Sequence, residues 1–190
     1  MELLTGIFSA FGLSASAGLN AYIPLLTIAL LARYTNLVRL ASPWDTLTNP
    51  WVIALLVVLL SIEFFADKVP AVNHINDLLQ TFVRPVAGAV VFAASAKVFT
   101  EIHPVLAMAS GLLVAGGVHA VKSAAVRPAV TATTAGAGNV PVSILEDMIS
   151  TILSILSIVI PVLIAMVIIL FTSWVVWHLW RSANKMRLQV

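Results

Sequence analysis

The chain holds 190 residues, room for one domain, of which 61% are hydrophobic and 9% charged. With a mean hydropathy of +1.06, it is too apolar for a water-soluble core of this size and falls in the membrane class. A net charge of only +2 with no dense basic run argues against a nucleic-acid partner, and the lack of cysteine excludes disulfides, thiol nucleophiles and Cys-ligated zinc or iron-sulfur centres.

The periodicity predicts an all-α polytopic bundle of about five spans in a single domain covering 1–190, with spans near 6–33, 51–67, 82–100, 104–127 and 148–180. The first resembles a signal peptide in its apolar core and small residues near Ala17, but its leading segment carries Glu2 and no basic residue, so an uncleaved span is expected. Ser14, Ser16, Gly18, Asn20, Tyr22 and Pro24 interrupt it, which predicts a broken helix or a short re-entrant piece. The loop from Tyr34 to Pro50 holds Arg39, two prolines and Trp44. The second span is almost pure hydrocarbon until Glu63, and Glu63 and Asp67, four apart, share a face with Lys68 adjoining.

Next comes DKVPAVNHINDLLQTFVRP, Asp67 to Pro85, in which Asn73, Asn76/Asp77, Gln80 and Arg84 recur at helical spacing on an otherwise oily helix. The third span follows from Pro85 to Thr100, rich in small residues. The fourth carries Ala107, Gly111, Ala115, His119, Ser123 and Arg127 at four-residue spacing, small at one end and polar at the other. A loop rich in Gly, Ala and Thr then leads to VSILEDMISTILS, Val142 to Ser154. Here Ser143 answers Asn73, Glu146/Asp147 answer Asn76/Asp77, Ser150 and Thr151 answer Gln80 and Thr81, and Ser154 answers Arg84. Pro70 and Pro141 precede the two stretches, so they read as a weak internal repeat, and transport sites often form where such repeats meet. The last span is longer than a bilayer requires, with Pro161 predicting a kink or tilt and Trp174, Trp177 and Trp180 an interfacial belt before Arg181, Lys185 and Arg187.

Five spans put the loop with Arg33 and Arg39, the turn near Lys97 and the basic tail on one side, which the excess of positive charge makes cytoplasmic in an inner (plasma) membrane. Both polar stretches then approach each other from the opposite side. If the first segment makes two crossings, only the N-terminus changes side.

A charge at the centre of a span costs about 2.5–3.5 kcal/mol on insertion scales. Glu63, Asp67, Lys68, Asp77, Arg84, His119, Lys122, Arg127, Glu146 and Asp147 all lie in or near spans, so they must pair, meet water in a cavity or reach the headgroups. The expected site has Asp77, Arg84, Glu146 and Asp147 lining a hydrated gap, with Glu63, Asp67, Lys68, His119, Lys122 and Arg127 beside it. Asn20 serves chiefly as an interhelical hydrogen-bonding group. Glu146/Asp147 beside Glu63/Asp67 offer oxygen ligands suited to a hard cation, but no metal-binding spacing is present, and no metal or cofactor is expected. No nucleophile elbow, phosphate-binding loop, HExxH or dinucleotide fingerprint occurs, so no enzyme is expected.

The stretches AGLNAYIPLL (Ala17 to Leu26), DKVPAVNHINDLLQTFVRPVAGA (Asp67 to Ala89) and NVPVSILED (Asn139 to Asp147) resemble a family of small bacterial integral membrane proteins catalogued as a domain of unknown function. Arg84, Pro85, Ala87 and Gly88, in the pattern RP-x-AG, carry the most recognisable part. The resemblance implies an all-helical membrane fold and transfers no functional residue. The residues themselves point to a small transporter or channel for an ion or small polar solute. It would sit among membrane lipids as a homo-oligomer joined through the small faces at Gly111 and Ala115. The alternative is a non-transporting protein whose Arg84, Lys122 and Arg127 meet lipid phosphates.

Overall fold

The computed structural model describes residues 2–68, 70–99 and 103–187, which are all-helical with no strand among them. The first apolar segment is two helices, α1 (Glu2–Leu19) and α2 (Tyr22–Tyr34). Asn20 makes the break: its backbone N–H still donates to Ser16 in α1, while its side-chain oxygen accepts from the N–H groups of Tyr22 and Ile23 at 3.0 and 3.2 Å and opens α2. Leu13 of α1 and Ile28 of α2 line one cavity, so the chain turns back on itself here and the expected single span is two helices. A single turn of 3₁₀ helix (Trp44–Thr48) and the Asn49 cap, which accepts from Trp51 N–H at 2.9 Å, then start α3 (Pro50–Ala66).

Helix α4 (Pro70–Phe99) takes in both the Asn76 to Arg84 row and the expected third span. It packs antiparallel on α5 (Pro104–Val121), and both lie against α1. The closeness of this trio is set by glycine: a Cβ on Gly111 would strike the Gly88 carbonyl, and one on Gly18 would lie 2.6 Å from the Ala115 carbonyl. Ser14 donates to the Gly88 carbonyl at 2.7 Å across the same contact. Ala107, Gly111, Ala115 and His119 are the buried residues of α5, as their spacing predicts. They face α1 and α4 of the same chain, so Gly111 and Ala115 are not the homo-oligomer surface expected of them.

Beyond Val121 the helix widens into a π turn (Lys122–Val126) before α6 (Arg127–Thr134). This moves the inward position from Ser123, which is exposed, to Lys122, and brings Arg127 inward one wide turn later. Helix α7 (Asn139–Val159) follows, and Ile160 leaves the helical region (φ −135°, ψ 62°) ahead of Pro161, which opens α8 (Pro161–Arg187). The expected single span 148–180 is therefore two helices. At 21 residues, α7 is about 31 Å long and matches a bilayer core by itself. The cytoplasmic C-terminus inferred from a single crossing loses its basis. In α8, Trp174, Trp177 and Trp180 are exposed, and Arg181 lies 5.1 Å from the Trp177 ring.

Segments 78–95, 104–134 and 139–159 are long and apolar enough to cross a membrane, which marks a membrane protein. The first half of α4 and the length of α7 are turned inside out relative to the helices of a water-soluble protein. Leu78, Leu79, Phe82 and Val86 of α4 and Ile144, Leu145, Ile149 and Ile152 of α7 are exposed, while the buried residues of α7 are Ser143, Glu146, Ser150, Ser154 and Ser157.

Candidate functional site

The ends of α1, α3 and α5 and the beginnings of α4 and α7 meet at one end of the bundle, where the polar positions converge. Helix α3 buries only Leu56 and Glu63 among its own residues. Glu63 accepts from Arg84 of α4 at 2.9 Å, and each side chain is 1% exposed. Arg84 also donates to His119 Nδ1 at 3.1 Å. Because a guanidinium can only donate, the ring accepts at Nδ1, and Nε2–H is left to donate to Thr81, 3.2 Å away.

A second knot forms around Glu146 of α7, which takes Lys122 and Arg127 at 2.9 and 2.8 Å. Lys122 also reaches the Leu19 carbonyl that ends α1, at 3.2 Å. Asp67 joins the two polar rows: one carboxylate oxygen accepts from Asn76 of α4 at 2.6 Å and the other from Ser143 of α7 at 3.1 Å, with Arg127 3.7 Å away. Asp147 accepts from Asn20 at 2.9 Å and has Lys68 at 3.8 Å. Lys68 itself lies 3.2 Å from the Phe64 ring centre.

Thus Asn20, Glu63, Asp67, Lys68, Arg84, His119, Lys122, Arg127, Glu146 and Asp147 come together in one cluster. The side chain of Asp77, and with it Asn73, lies outside the described residues. Among the described residues four carboxylates face four cations, a pairing that offsets the cost of taking those charges out of water. Glu63 Oε2, Gln80 Oε1, Arg84 Nε, and Arg127 Nε and Nη1 are buried without a hydrogen-bond partner among the described residues. Asp147 Oδ2 has only the distant Lys68.

The carboxylates do not assemble as a cation site, since Glu63 and Glu146 are each bound to basic groups. Among the described residues no three of His, Asp and Glu converge as metal ligands. Asn76, Ser143, Gln80 and Ser16 belong to the cluster or its floor; helical spacing already marked the first three, whereas Ser16 stood out only as one of the interruptions of the first segment. Ser9, Ser95 and Ser157 had no such flag, because a lone serine in an apolar run carries no sign of its neighbours.

Fold and site together define an integral membrane helical bundle with a cluster of paired charges in its core. The chain belongs to the family described as a domain of unknown function, DUF4126, whose model matches residues 7–181. No curated protein and no solved structure matches it. The RP-x-AG stretch gains a physical reading: Arg84 enters the cluster and Gly88, one turn on, makes the close crossing with α5.

Proposed function

We propose that the protein is a small membrane transporter or channel for an ion or small polar solute, and that the charge cluster is where the cargo is held. The observation that supports this reading is the set of buried polar atoms on Glu63, Gln80, Arg84 and Arg127 that have no hydrogen-bond partner among the described residues, inside an ion-pair network. A network serving only to fix helix register gains most by satisfying every donor and acceptor, since each one left bare costs about 1–3 kcal/mol. Groups left open around Arg127 and Glu63 suit water or a small ion that comes and goes. Lipid-phosphate binding by Arg84, Lys122 and Arg127 is less favoured, because carboxylates of the same chain already engage all three.

In this reading the protein does no covalent chemistry. Its apolar outer faces sit among lipids in a plasma membrane, and copies associate through a face other than Gly111 and Ala115. The two polar rows act as repeat-related halves of the site, with Asp77 expected beside Asn76.

Reconstitution into liposomes with dyes for sodium, potassium, magnesium and chloride tests this. At least one of these fluxes should exceed that of empty vesicles and fall at least tenfold in Glu146→Gln or Asp77→Asn, with elution of the folded protein unchanged. No flux of any of the four and none of protons, or equal flux in both variants, overturns it.

A further inference from the structure

Below the charge cluster the inward face of α7 carries hydroxyls alone: Ser150, Ser154 and Ser157 are each fully buried. They face serines of α1. Ser16 Oγ lies 2.7 Å from both Ser150 Oγ and Ser154 Oγ, and in each pair either oxygen can be the donor. Further down, Ser9 donates to the Ser157 carbonyl at 2.7 Å.

Ser9 also lines a cavity of about 40 Å³, together with Leu13 of α1, Ile28 of α2, Val38, Ser95 of α4 and Ile158 of α7, the last one turn beyond Ser154. Ser95, 2% exposed, contributes a hydroxyl with no hydrogen-bond partner among the described residues. A buried orphan hydroxyl is costly when dry, and a cavity this size holds one or two waters. The cavity therefore has both the room and the polar group that water needs, at the end of the bundle opposite the charges.

We propose that this cavity binds water and that the serine row carries protons between it and the carboxylates of the cluster. An excess proton that reaches the cavity water from the aqueous side, as hydronium, passes to a hydroxyl oxygen as that hydroxyl releases its own proton to the next, leaving the cavity water neutral. Ser154, Ser16 and Ser150 hand it on, and the hydroxyls then rotate back. Water in the cavity bridges the step to Ser154, because Ser157 donates to the Leu153 carbonyl of its own helix at 2.6 Å. Glu146, one turn above Ser150 on the same face, takes up the proton, flanked by Lys122 and Arg127; Asp147, held by Asn20 with Lys68 at 3.8 Å, is the neighbouring carboxylate. The interchangeable donors around Ser16 are what such a relay needs, since a chain of fixed polarity conducts once and stops. This deepens the transport reading by naming the proton as its coupling or carried ion.

The test uses the whole protein in liposomes with a trapped pH dye, proton entry being driven by a valinomycin potassium potential. Wild type should acidify the lumen well above empty vesicles. Ser16→Ala and Ser154→Ala should each cut the rate at least tenfold and Ser95→Ala several-fold. Ser61→Ala, an exposed hydroxyl bonded to its own helix, should leave it unchanged. Elution profiles and melting curves of each variant confirm folding. Proton entry equal to that of empty vesicles, or unaltered in folded Ser16→Ala and Ser154→Ala, overturns the relay and leaves the serines as packing groups. If sodium, potassium, magnesium or chloride still moves in a Glu146-dependent manner, only the relay falls. If nothing moves, the transport reading falls with it.

Discussion

On α4 the inward row ends in Arg84, locked to Glu63 at 2.9 Å and His119 at 3.1 Å, whereas on α7 the row continues into Ser150, Ser154 and Ser157. A buried guanidinium has one acceptable neighbourhood, because a charge without its partner is intolerable in a low-dielectric core. A hydroxyl is content with a carbonyl or another hydroxyl, as Ser16 is with both the Ser150 carbonyl and its Oγ. The charged row therefore fixes how the helices sit, and the hydroxyl row holds them through bonds to carbonyls and to other hydroxyls, the latter of either polarity.

The sharpest way to break the contrast is Arg84→Ala, which strands Glu63 and should cost about 3–5 kcal/mol, seen as a large fall in the melting temperature of the purified protein in detergent. Replacing both partners, Arg84→Met with Glu63→Leu, should recover most of that loss if the pair matters for its charge rather than its volume. Next in size is Gly111→Ala, whose new methyl meets the Gly88 carbonyl; about 1–3 kcal/mol of overpacking is expected in the same melt. Ser154→Ala should cost only about 0.6 kcal/mol, the usual worth of an interhelical hydrogen bond in a membrane, even where it blocks proton entry. Smallest is Phe82→Ala on the outer face of α4, 70% exposed, which should stay within about 0.5 kcal/mol of wild type.

Much of this was readable from spacing alone. A 3.6-residue period tells which side of a helix is unlike the rest, so Asn76, Gln80 and Arg84, Ser143, Glu146, Ser150 and Ser154, and the Ala107 to His119 stripe face inward as expected, while Thr151 of the second row is exposed. The interruption around Asn20 likewise became a helix break, because its amide caps the second helix. Spacing is silent on which neighbour a face meets. Gly111 and Ala115 suited another copy as well as they suit α1 and α4, and only the chain's own folding decided between them. It is silent too on a change of period. Ser123 continued the stripe of α5 on paper, but the π turn passes that place to Lys122, where Glu146 waits. Pro161 signalled a kink and produced a separate helix, with Ile160 before it taking the non-helical conformation that a following proline favours.

The π turn also has a bearing on chain length. In a regular helix, positions five apart point about 140° away from each other, yet Lys122 and Arg127 both grip Glu146, because the Arg127 N–H reaches back to the Lys122 carbonyl. The segment thus stores one surplus residue. Deleting Ala124 would restore ordinary winding with the two cations now four apart, still side by side, whereas a deletion in the Gly111 to Ala115 turn would swing every later contact out of line. Natural relatives one residue shorter should show their gap between 122 and 127.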